Sequence, residues 1–136
     1  MMISTKGRYA LHIMTDLAEH TGDGYVSLAD ISKRQEISLK YLEAIISLLN
    51  KAGLVDSLRG KSGGYKLSKT AEEYTLREIL EATEGGIIPV NCACLTDGED
   101  CKRAGLCPTQ PVWQKLDKII SDYLESVTLA DLLNQG

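Results

Sequence analysis

The sequence contains no long apolar run. Its first twenty residues carry Lys6, Arg8, His12, Asp16 and Glu19 at intervals, so they do not form the uninterrupted apolar core of a secretory signal peptide. No later segment approaches the roughly 20 apolar residues that a membrane-spanning helix needs. We therefore expect a cytoplasmic protein, in which thiols are normally kept reduced.

The patterns of common enzyme classes are also missing. We find no nucleophile–base pair and no acidic dyad. The Gly60-Lys61-Ser62 tripeptide resembles the end of a phosphate-binding loop, but Val55 stands where that motif requires its first glycine. The two histidines, His12 and His20, lie in one predicted helix and are expected to have ordinary surface or packing roles. The sequence predicts that the protein is not an enzyme.

Repeats, low-complexity tracts and long linkers are absent, so 136 residues with 43% apolar composition predict one globular domain with a modest core. The net charge of −4 is unevenly distributed. Residues 1–70 hold ten Lys/Arg and seven Asp/Glu, a balance of +3, whereas residues 71–136 hold five and twelve, a balance of −7. The N-terminal half is therefore the plausible DNA-binding face.

The N-terminal half shows the pattern of a helix-turn-helix. Apolar residues at i, i+3 and i+4 spacing predict a first helix from Lys6 to His20. Ser27 opens a short second helix, and Ser38 opens a strongly amphipathic third helix that stops at Gly53. Two helices joined by a three- or four-residue turn can present the start of the second one to a DNA groove.

A hairpin with a basic tip follows the third helix. LVDSL and YKLSK read as two short strands, and RGKSGG between them supplies the glycines that a tight turn requires. Gly60, Gly63 and Gly64 would let the backbone approach a groove, while Arg59 and Lys61 would contact phosphates or insert into a minor groove. Ser62, in the same tip, is also a candidate DNA-binding residue. A helix-turn-helix followed by a basic hairpin is the winged-helix arrangement, although a solvated basic turn is the simpler alternative for the tip alone.

The start of the third helix holds the candidate recognition residues, which are polar and expected to be exposed. They are Ser38, Lys40, Tyr41 and Glu43. A hydroxyl, an ammonium group and a phenol can hold phosphates, and a carboxylate can accept a hydrogen bond from a cytosine amino group. The alternative is a polar helix end in which Ser38 is only a cap and Tyr41 packs.

Three further helices are predicted in the C-terminal half. Thr75 with Glu78, and Thr128 with Asp131, are helix-start signatures, and Gly85 is a stop. Between them a long amphipathic helix covers about residues 109–125. Because a small domain leaves few surfaces to cover its apolar stripe, we expect this helix to pair with the same helix of a second chain. Such a homodimer would fit a palindromic site.

All four cysteines lie in the segment NCACLTDGEDCKRAGLCP, with the spacing C-x-C-x6-C-x5-C. They are Cys92, Cys94, Cys101 and Cys107. The spacing is a poor match to zinc knuckles. An irregular, glycine-containing loop suits an iron–sulfur cluster. Spacing alone leaves three readings open: a cluster, a zinc site or redox disulfide, and unligated thiols.

Five stretches together resemble the IscR-type winged-helix transcriptional regulators, whose relatives include NsrR-like and CymR-like proteins. They are ISTKGRYAL, VSLADISKRQEISLKYLEAI, LRGKSGGYKL, C-x6-C-x5-CPTQPVW and TLADLL. The resemblance implies a homodimer that binds near-palindromic promoter DNA as a repressor or activator. It adds Ser4, Lys6 and Arg8, in the STKGRYA opening, to the candidate DNA-binding residues.

The resemblance also implies that Cys94, Cys101 and Cys107 hold a [2Fe-2S] or [4Fe-4S] cluster. One extra residue separates Cys94 from Cys101, and Gln110 stands where IscR-type proteins have a histidine ligand. Cys92, a carboxylate or a residue of the partner chain could supply the fourth ligand.

The expected fold is mainly α with a small β-hairpin. We predict a winged helix-turn-helix DNA-binding domain over residues 1–85, a cysteine-rich sensor loop over 86–108, and a dimerisation helix with a helical tail over 109–136. The expected function is a DNA-binding regulator whose affinity is set by a cluster that senses iron–sulfur supply, redox state or nitric oxide. The alternatives are a cluster-free regulator controlled by thiol oxidation or a protein partner, and a small redox or cluster-carrier protein without DNA binding.

Overall fold

The computed structural model describes residues 3–61, 63–87 and 108–134, which form six α-helices and one antiparallel hairpin. The helices are α1 (Thr5–Glu19), α2 (Leu28–Gln35), α3 (Leu39–Lys51), α4 (Leu76–Glu84), α5 (Gln110–Ser126) and α6 (Leu129–Leu133). The strands are β1 (Val55–Leu58) and β2 (Gly64–Leu67). Single 3-10 turns lie at Thr21–Asp23 and Ala71–Glu73. The prediction of a mainly α, winged helix-turn-helix fold is confirmed.

Side-chain caps fix where the helices begin. The hydroxyls of Ser27, Ser38 and Thr75 each accept a hydrogen bond from the backbone N–H three residues on. Thr128 and Asp131 form a complete capping box at the start of α6. Each bond satisfies an N–H that the helix itself leaves unpaired. The sequence signatures therefore marked these helix starts correctly.

Left-handed residues end three of the helices. Gly53 follows α3 with φ 76°, and Gly85 follows α4 with φ 82°. Glu36 is the non-glycine example, with φ 54°, and it turns the chain between α2 and α3 within residues 36–38. This short turn confirms the predicted helix-turn-helix spacing.

Helix α1 is the centre of the core. It contacts α2, α3, α4, α6 and β2. Its inward face meets the inward face of α3, and the apolar side chains on these two faces are at most 1% exposed. They are Ala10, Ile13, Met14, Leu17, Leu42, Ile45, Ile46 and Leu49. This packing presents the outer face of α3 to solvent.

The C-terminal helices return to the winged-helix domain. Leu124 of α5 packs with Leu76 and Leu80 of α4 in a second small cluster. The chain then forms an antiparallel bridge between Thr75 and Thr128, and Leu129 of α6 enters the main core. We call this bridge and its flanking hydrogen bonds, Leu76 N to Val127 O and Leu129 N to Tyr74 O, the clasp.

No helix within the described ranges combines the length and the apolar character needed to cross a bilayer. The predicted division at residues 1–85, 86–108 and 109–136 stays a prediction, because most of its middle segment lies outside the described residues.

Candidate nucleic-acid interface

The start of α3 carries its polar residues on the outer surface. Ser38, Lys40, Tyr41 and Glu43 are all exposed and lie within one and a half turns of each other. Ser38 Oγ accepts a hydrogen bond from Tyr41 N at 3.3 Å, so it serves as the helix cap. Its cap role and a phosphate contact are compatible, because a hydroxyl has a proton to donate and a second lone pair.

Tyr41 packs as well as facing solvent. Its ring meets the ring of Tyr9 edge to face, with centroids 5.6 Å apart at 81°. Tyr9 lies in the second turn of α1, so this contact sets the first two turns of α1 beside the first turn of α3. Tyr9 also lies edge to face with His12, which is exposed, at 6.4 Å. The start of α1 and the start of α3 therefore share one surface.

A buried carboxylate fastens α2 to α1. Asp16 is 1% exposed and accepts hydrogen bonds from Arg34 at 2.7 and 2.9 Å and from Gln35 at 3.0 Å. Burial alone would raise the pKa of Asp16, but these hydrogen bonds and the charge of Arg34 outweigh it and hold the pKa below its usual range. His20 Nδ1 lies 2.7 Å from the Asp16 carbonyl oxygen, which gives that histidine a local structural role.

The wing tip is basic and exposed. Arg59 and Lys61 both face solvent, and Gly63 N donates a hydrogen bond to Gly60 O at 3.0 Å, closing the turn. Gly60 has φ 113°, a conformation that favours glycine. Ser62 lies outside the described residues. The described tip thus offers two cations on a tight backbone turn.

The wing is tied to the segment before α2. Val26 and Tyr65 exchange two backbone hydrogen bonds of 2.8 Å each. Gly64 makes this possible, because a side chain on it would overlap the Val26 carbonyl oxygen. The wing and the helix-turn-helix are thereby joined by backbone bonds as well as by the core.

A single phenol holds the base of the wing. Tyr74 is fully buried, donates to Leu54 O at 2.6 Å and accepts from the backbone N–H groups of Ser68 at 2.8 Å and Lys69 at 3.2 Å. Burial raises the pKa of the Tyr74 phenol, so the group stays protonated and can donate. The residues just before β1 and just after β2 therefore meet at one side chain.

Two of the three candidate residues at the start of α1 are cationic. Arg8 is exposed and donates to Thr5 Oγ1 at 3.1 Å, and Lys6 is partly exposed. Ser4 caps α1, and its hydroxyl and backbone N–H donate to Glu84 Oε1 at 2.6 and 3.1 Å. The one hydroxyl proton of Ser4 is thus directed at Glu84.

The outer face of α5 carries a row of apolar side chains that are 38 to 64% exposed. We call it the α5 stripe, and it consists of Val112, Leu116, Ile119 and Tyr123. Their i, i+4, i+7, i+11 spacing places them along one side of the helix. Leu124, on another side of α5, is buried. The stripe is an apolar surface without a covering element in the described part of the chain.

The predicted cluster ligands Cys94, Cys101 and Cys107, and the possible fourth ligand Cys92, lie outside the described residues. Gln110 is described and is the first residue of α5, partly buried. Within residues 3–61, 63–87 and 108–134, no group of three or more His, Cys, Asp or Glu side chains is placed to hold a metal ion.

Sequence reasoning missed the buried contacts that position this surface. Asp16 reads as one more polar residue of an amphipathic helix, and Glu84 reads as a solvent-facing residue near a stop signal. Tyr74 carries no motif. The available signal was weak: a charged residue inside an apolar stripe, as Asp16 is between Ile13 and Leu17, indicates a buried ion pair.

The sequence matches a known family and named relatives over nearly its whole length. Residues 3–135 match the family model described as Rrf2, iron-dependent transcriptional regulator. The HTH-type transcriptional regulator IscR of Erwinia tasmaniensis is 42% identical over 134 residues, which cover 98% of this chain and 79% of that protein.

Solved structures of similar proteins have the same fold. CymR (YrzC), described as the global cysteine regulator of B. subtilis, superposes with a TM-score of 0.81 and 38% identity, covering 100% of this chain and 98% of that one. T. potens IscR superposes with a TM-score of 0.78 and 39% identity, covering 99% and 88%. These relatives are named as regulators and not as enzymes, in agreement with the sequence prediction.

Proposed function

The chain belongs to the Rrf2 family of DNA-binding transcriptional regulators, and from that premise we propose a homodimer whose affinity for promoter DNA is set by an iron–sulfur cluster. The observation that carries the DNA-binding half is the shared surface formed by the starts of α1 and α3, with the basic wing tied to it through Val26 and Tyr65. In this proposal, α3 enters a major groove and the wing contacts the adjacent backbone.

Residue roles follow from chemistry and exposure. Lys40, Arg59 and Lys61 neutralise phosphates, and Glu43 accepts a hydrogen bond from a base amino group. Ser38 caps α3 and contacts the backbone, with Tyr41. The turn glycines Gly60 and Gly63, with Ser62 between them, let the wing backbone approach the DNA closely.

The α5 stripe supports the homodimer. Four large apolar residues in a row on a 17-residue helix form a surface that a second copy of the same helix would cover. A two-fold dimer would present two recognition helices and two wings to a near-palindromic site.

The donor set supports the cluster. Three cysteines, of which Cys101 and Cys107 keep the IscR-type spacing, offer thiolates, which are the usual ligands of iron–sulfur clusters. In this proposal Cys94, Cys101 and Cys107 hold the cluster, and Cys92 or a group from the partner chain completes it in place of the absent histidine. A bound cluster would supply a group that responds to oxidation, nitric oxide or iron–sulfur supply.

Likeness to CymR favours a second candidate, a regulator of the same fold without a cluster. One similar structure is described as the oxidized form of Staphylococcus aureus CymR, at a TM-score of 0.74 and 35% identity. In this alternative, thiol oxidation or a protein partner sets DNA affinity.

Anaerobic purification separates the two candidates. We expect coloured protein that contains iron and sulfide, and we expect Cys101→Ala to bleach it. Promoter binding by cluster-loaded and cluster-free protein should then differ. Colourless protein that holds no iron after anaerobic reconstitution, but still binds DNA, would establish the cluster-free candidate.

A further inference from the structure

We infer that Glu84, the last residue of α4, is a positioning residue for DNA binding because it fixes the start of α1. This inference rests on the proposed function. Glu84 Oε1 accepts hydrogen bonds from both Ser4 N at 3.1 Å and Ser4 Oγ at 2.6 Å, across 80 positions of sequence. Ser4 in turn caps α1 by accepting from Gly7 N at 3.4 Å.

The charge pattern of α1 explains why such an anion is needed. The first turn of α1 contains no acidic residue, and it carries two cations, Lys6 and Arg8. Cations are disfavoured at a helix N-terminus, where the helix dipole is positive, and anions are favoured. Glu84 supplies from another helix the negative charge that the first turn of α1 lacks. The cations therefore cost helix stability, and a role outside the fold accounts for their presence.

Space has been left for this carboxylate. Gly7 is buried inside α1, and a methyl group at its Cβ position would overlap Glu84 Oε1. Glycine in a helix interior is less favourable than alanine. Alanine at position 7 would be the better helix former, but its methyl group would displace the Glu84 carboxylate.

The start of α1 also lies where DNA contact is proposed. The ring contact between Tyr9 and Tyr41 sets it beside the first turn of α3. Arg8 is exposed, and its guanidinium is directed by a hydrogen bond to Thr5 Oγ1 at 3.1 Å. By holding Ser4, Glu84 holds the turn from which Lys6 and Arg8 project, and these two cations reach phosphates beside the recognition helix.

The sign of the effect separates positioning from simple charge repulsion. Glu84→Gln keeps the size of the side chain and removes its charge. If Glu84 positions the cations, the weaker hydrogen bonds from Ser4 to a neutral amide loosen the start of α1, and affinity for DNA falls about tenfold, as expected for the loss of one cation–phosphate contact. The slope of log K against log salt becomes shallower by about one. If Glu84 merely repels DNA, the same substitution tightens binding.

The test uses full-length protein and a duplex enriched by the wild type from a random pool. Glu81→Gln is the matched control, since Glu81 is an exposed carboxylate on the same helix that pairs with Arg77 at 2.9 Å. Thermal unfolding and circular dichroism check that each variant is folded. Binding by Glu84→Gln that equals or exceeds that of Glu81→Gln would overturn the inference.

Gly7→Ala provides a second, independent variant. It should weaken DNA binding as Glu84→Gln does, although alanine favours the helix, and the double variant should be no weaker than either single one. Additive losses would overturn the inference. If the wild type enriches no duplex at all, it is the proposed function that fails and not the role of Glu84.

Discussion

Helices α3 and α5 have the same kind of apolar pattern, but the apolar face of α3 is buried and the outer apolar face of α5 is exposed. The apolar face of α3 is at most 1% exposed, and α3 packs against α1, α2, α4 and β1. The α5 stripe is 38 to 64% exposed. Periodicity alone predicts a helix with a face to bury in both cases. Periodicity does not show whether the surface that buries this face belongs to the same chain or to another.

The difference assigns separate tasks to the two regions. The winged-helix region is held by its own core and by buried polar contacts at Asp16 and Tyr74, so its candidate recognition surface is formed within one chain. The outer face of α5 contributes little to that core. Substitutions in the two helices should therefore have effects of different kinds.

The largest expected effect compares Ile46→Ala in α3 with Ile119→Ala in the α5 stripe. Ile46 is 1% exposed and Ile119 is 54% exposed. Ile46→Ala should lower the free energy of unfolding by about 2–5 kcal/mol at every protein concentration. If the proposed dimer forms, Ile119→Ala should lower only the part of the stability that rises with protein concentration, because dimerisation would supply that part. Urea unfolding over a range of concentrations measures both. Equal, concentration-independent losses would remove the distinction between the two helices.

The next largest effect concerns the base of the wing. Tyr74→Phe keeps the ring but leaves Leu54 O and the N–H groups of Ser68 and Lys69 without this partner. We expect a loss of about 1–3 kcal/mol in the free energy of unfolding. Hydrogen exchange should quicken at Ser68 and Lys69. Tyr25→Phe, a change to a partly exposed tyrosine, is the control, and an equal loss there would argue against the special role of Tyr74.

A pH-dependent effect comes from Asp16. Its pKa is lowered in the fold, so its stabilising contribution is complete above the unfolded pKa of about 4 and is lost as the pH falls through the folded value. Asp16→Asn should cost about 1–3 kcal/mol at neutral pH, and its difference from wild type should shrink in acid. Chemical unfolding at several pH values follows this. Glu19→Gln, an exposed change on the same helix, should cost little, and a constant Asp16→Asn difference down to low pH would contradict the assignment.

The smallest effect tests the wing tip. Arg59→Ala and Lys61→Ala should each leave the fold intact and reduce the salt slope of DNA binding by about one. Fluorescence anisotropy with a labelled duplex at several salt concentrations measures the slope. Lys118→Ala, which removes an exposed cation of α5, should leave the slope unchanged. A tip that is only a solvated turn would give no change for Arg59 or Lys61 either.

Local features of the fold were predictable because their physical cause is local. The caps at Ser27, Ser38 and Thr128 and the stop at Gly53 depend on neighbouring residues, and sequence reasoning located them. Sequence reasoning did not find the contacts between residues that are distant in sequence. The bond between Ser4 and Glu84 spans 80 positions, and no pattern in either segment indicates the other.

The candidate site shows the same division. The exposed residues of α3 and the wing were identified from their type and position, since a recognition helix needs polar side chains at its start. The groups that hold that surface in place, Asp16, Tyr74 and the bridge from Val26 to Tyr65, follow only from the packing. The assignment of the cysteines as cluster ligands rests on their spacing and on the family resemblance alone, and it stays a prediction.

The clasp has a geometric consequence for α5. It fixes the end of α5 near Ser126 to α4 and α6 through the Thr75–Thr128 bridge and its two flanking hydrogen bonds. The other end, at Gln110, lies about 25 Å away along the helix axis and continues from the cysteine-bearing segment. A tilt of about 5° at the clasp therefore displaces that end by about 2 Å. Conversely, a small displacement imposed at Gln110 would be transmitted along α5 to the clasp. There it would act on α4, the helix that ends in Glu84.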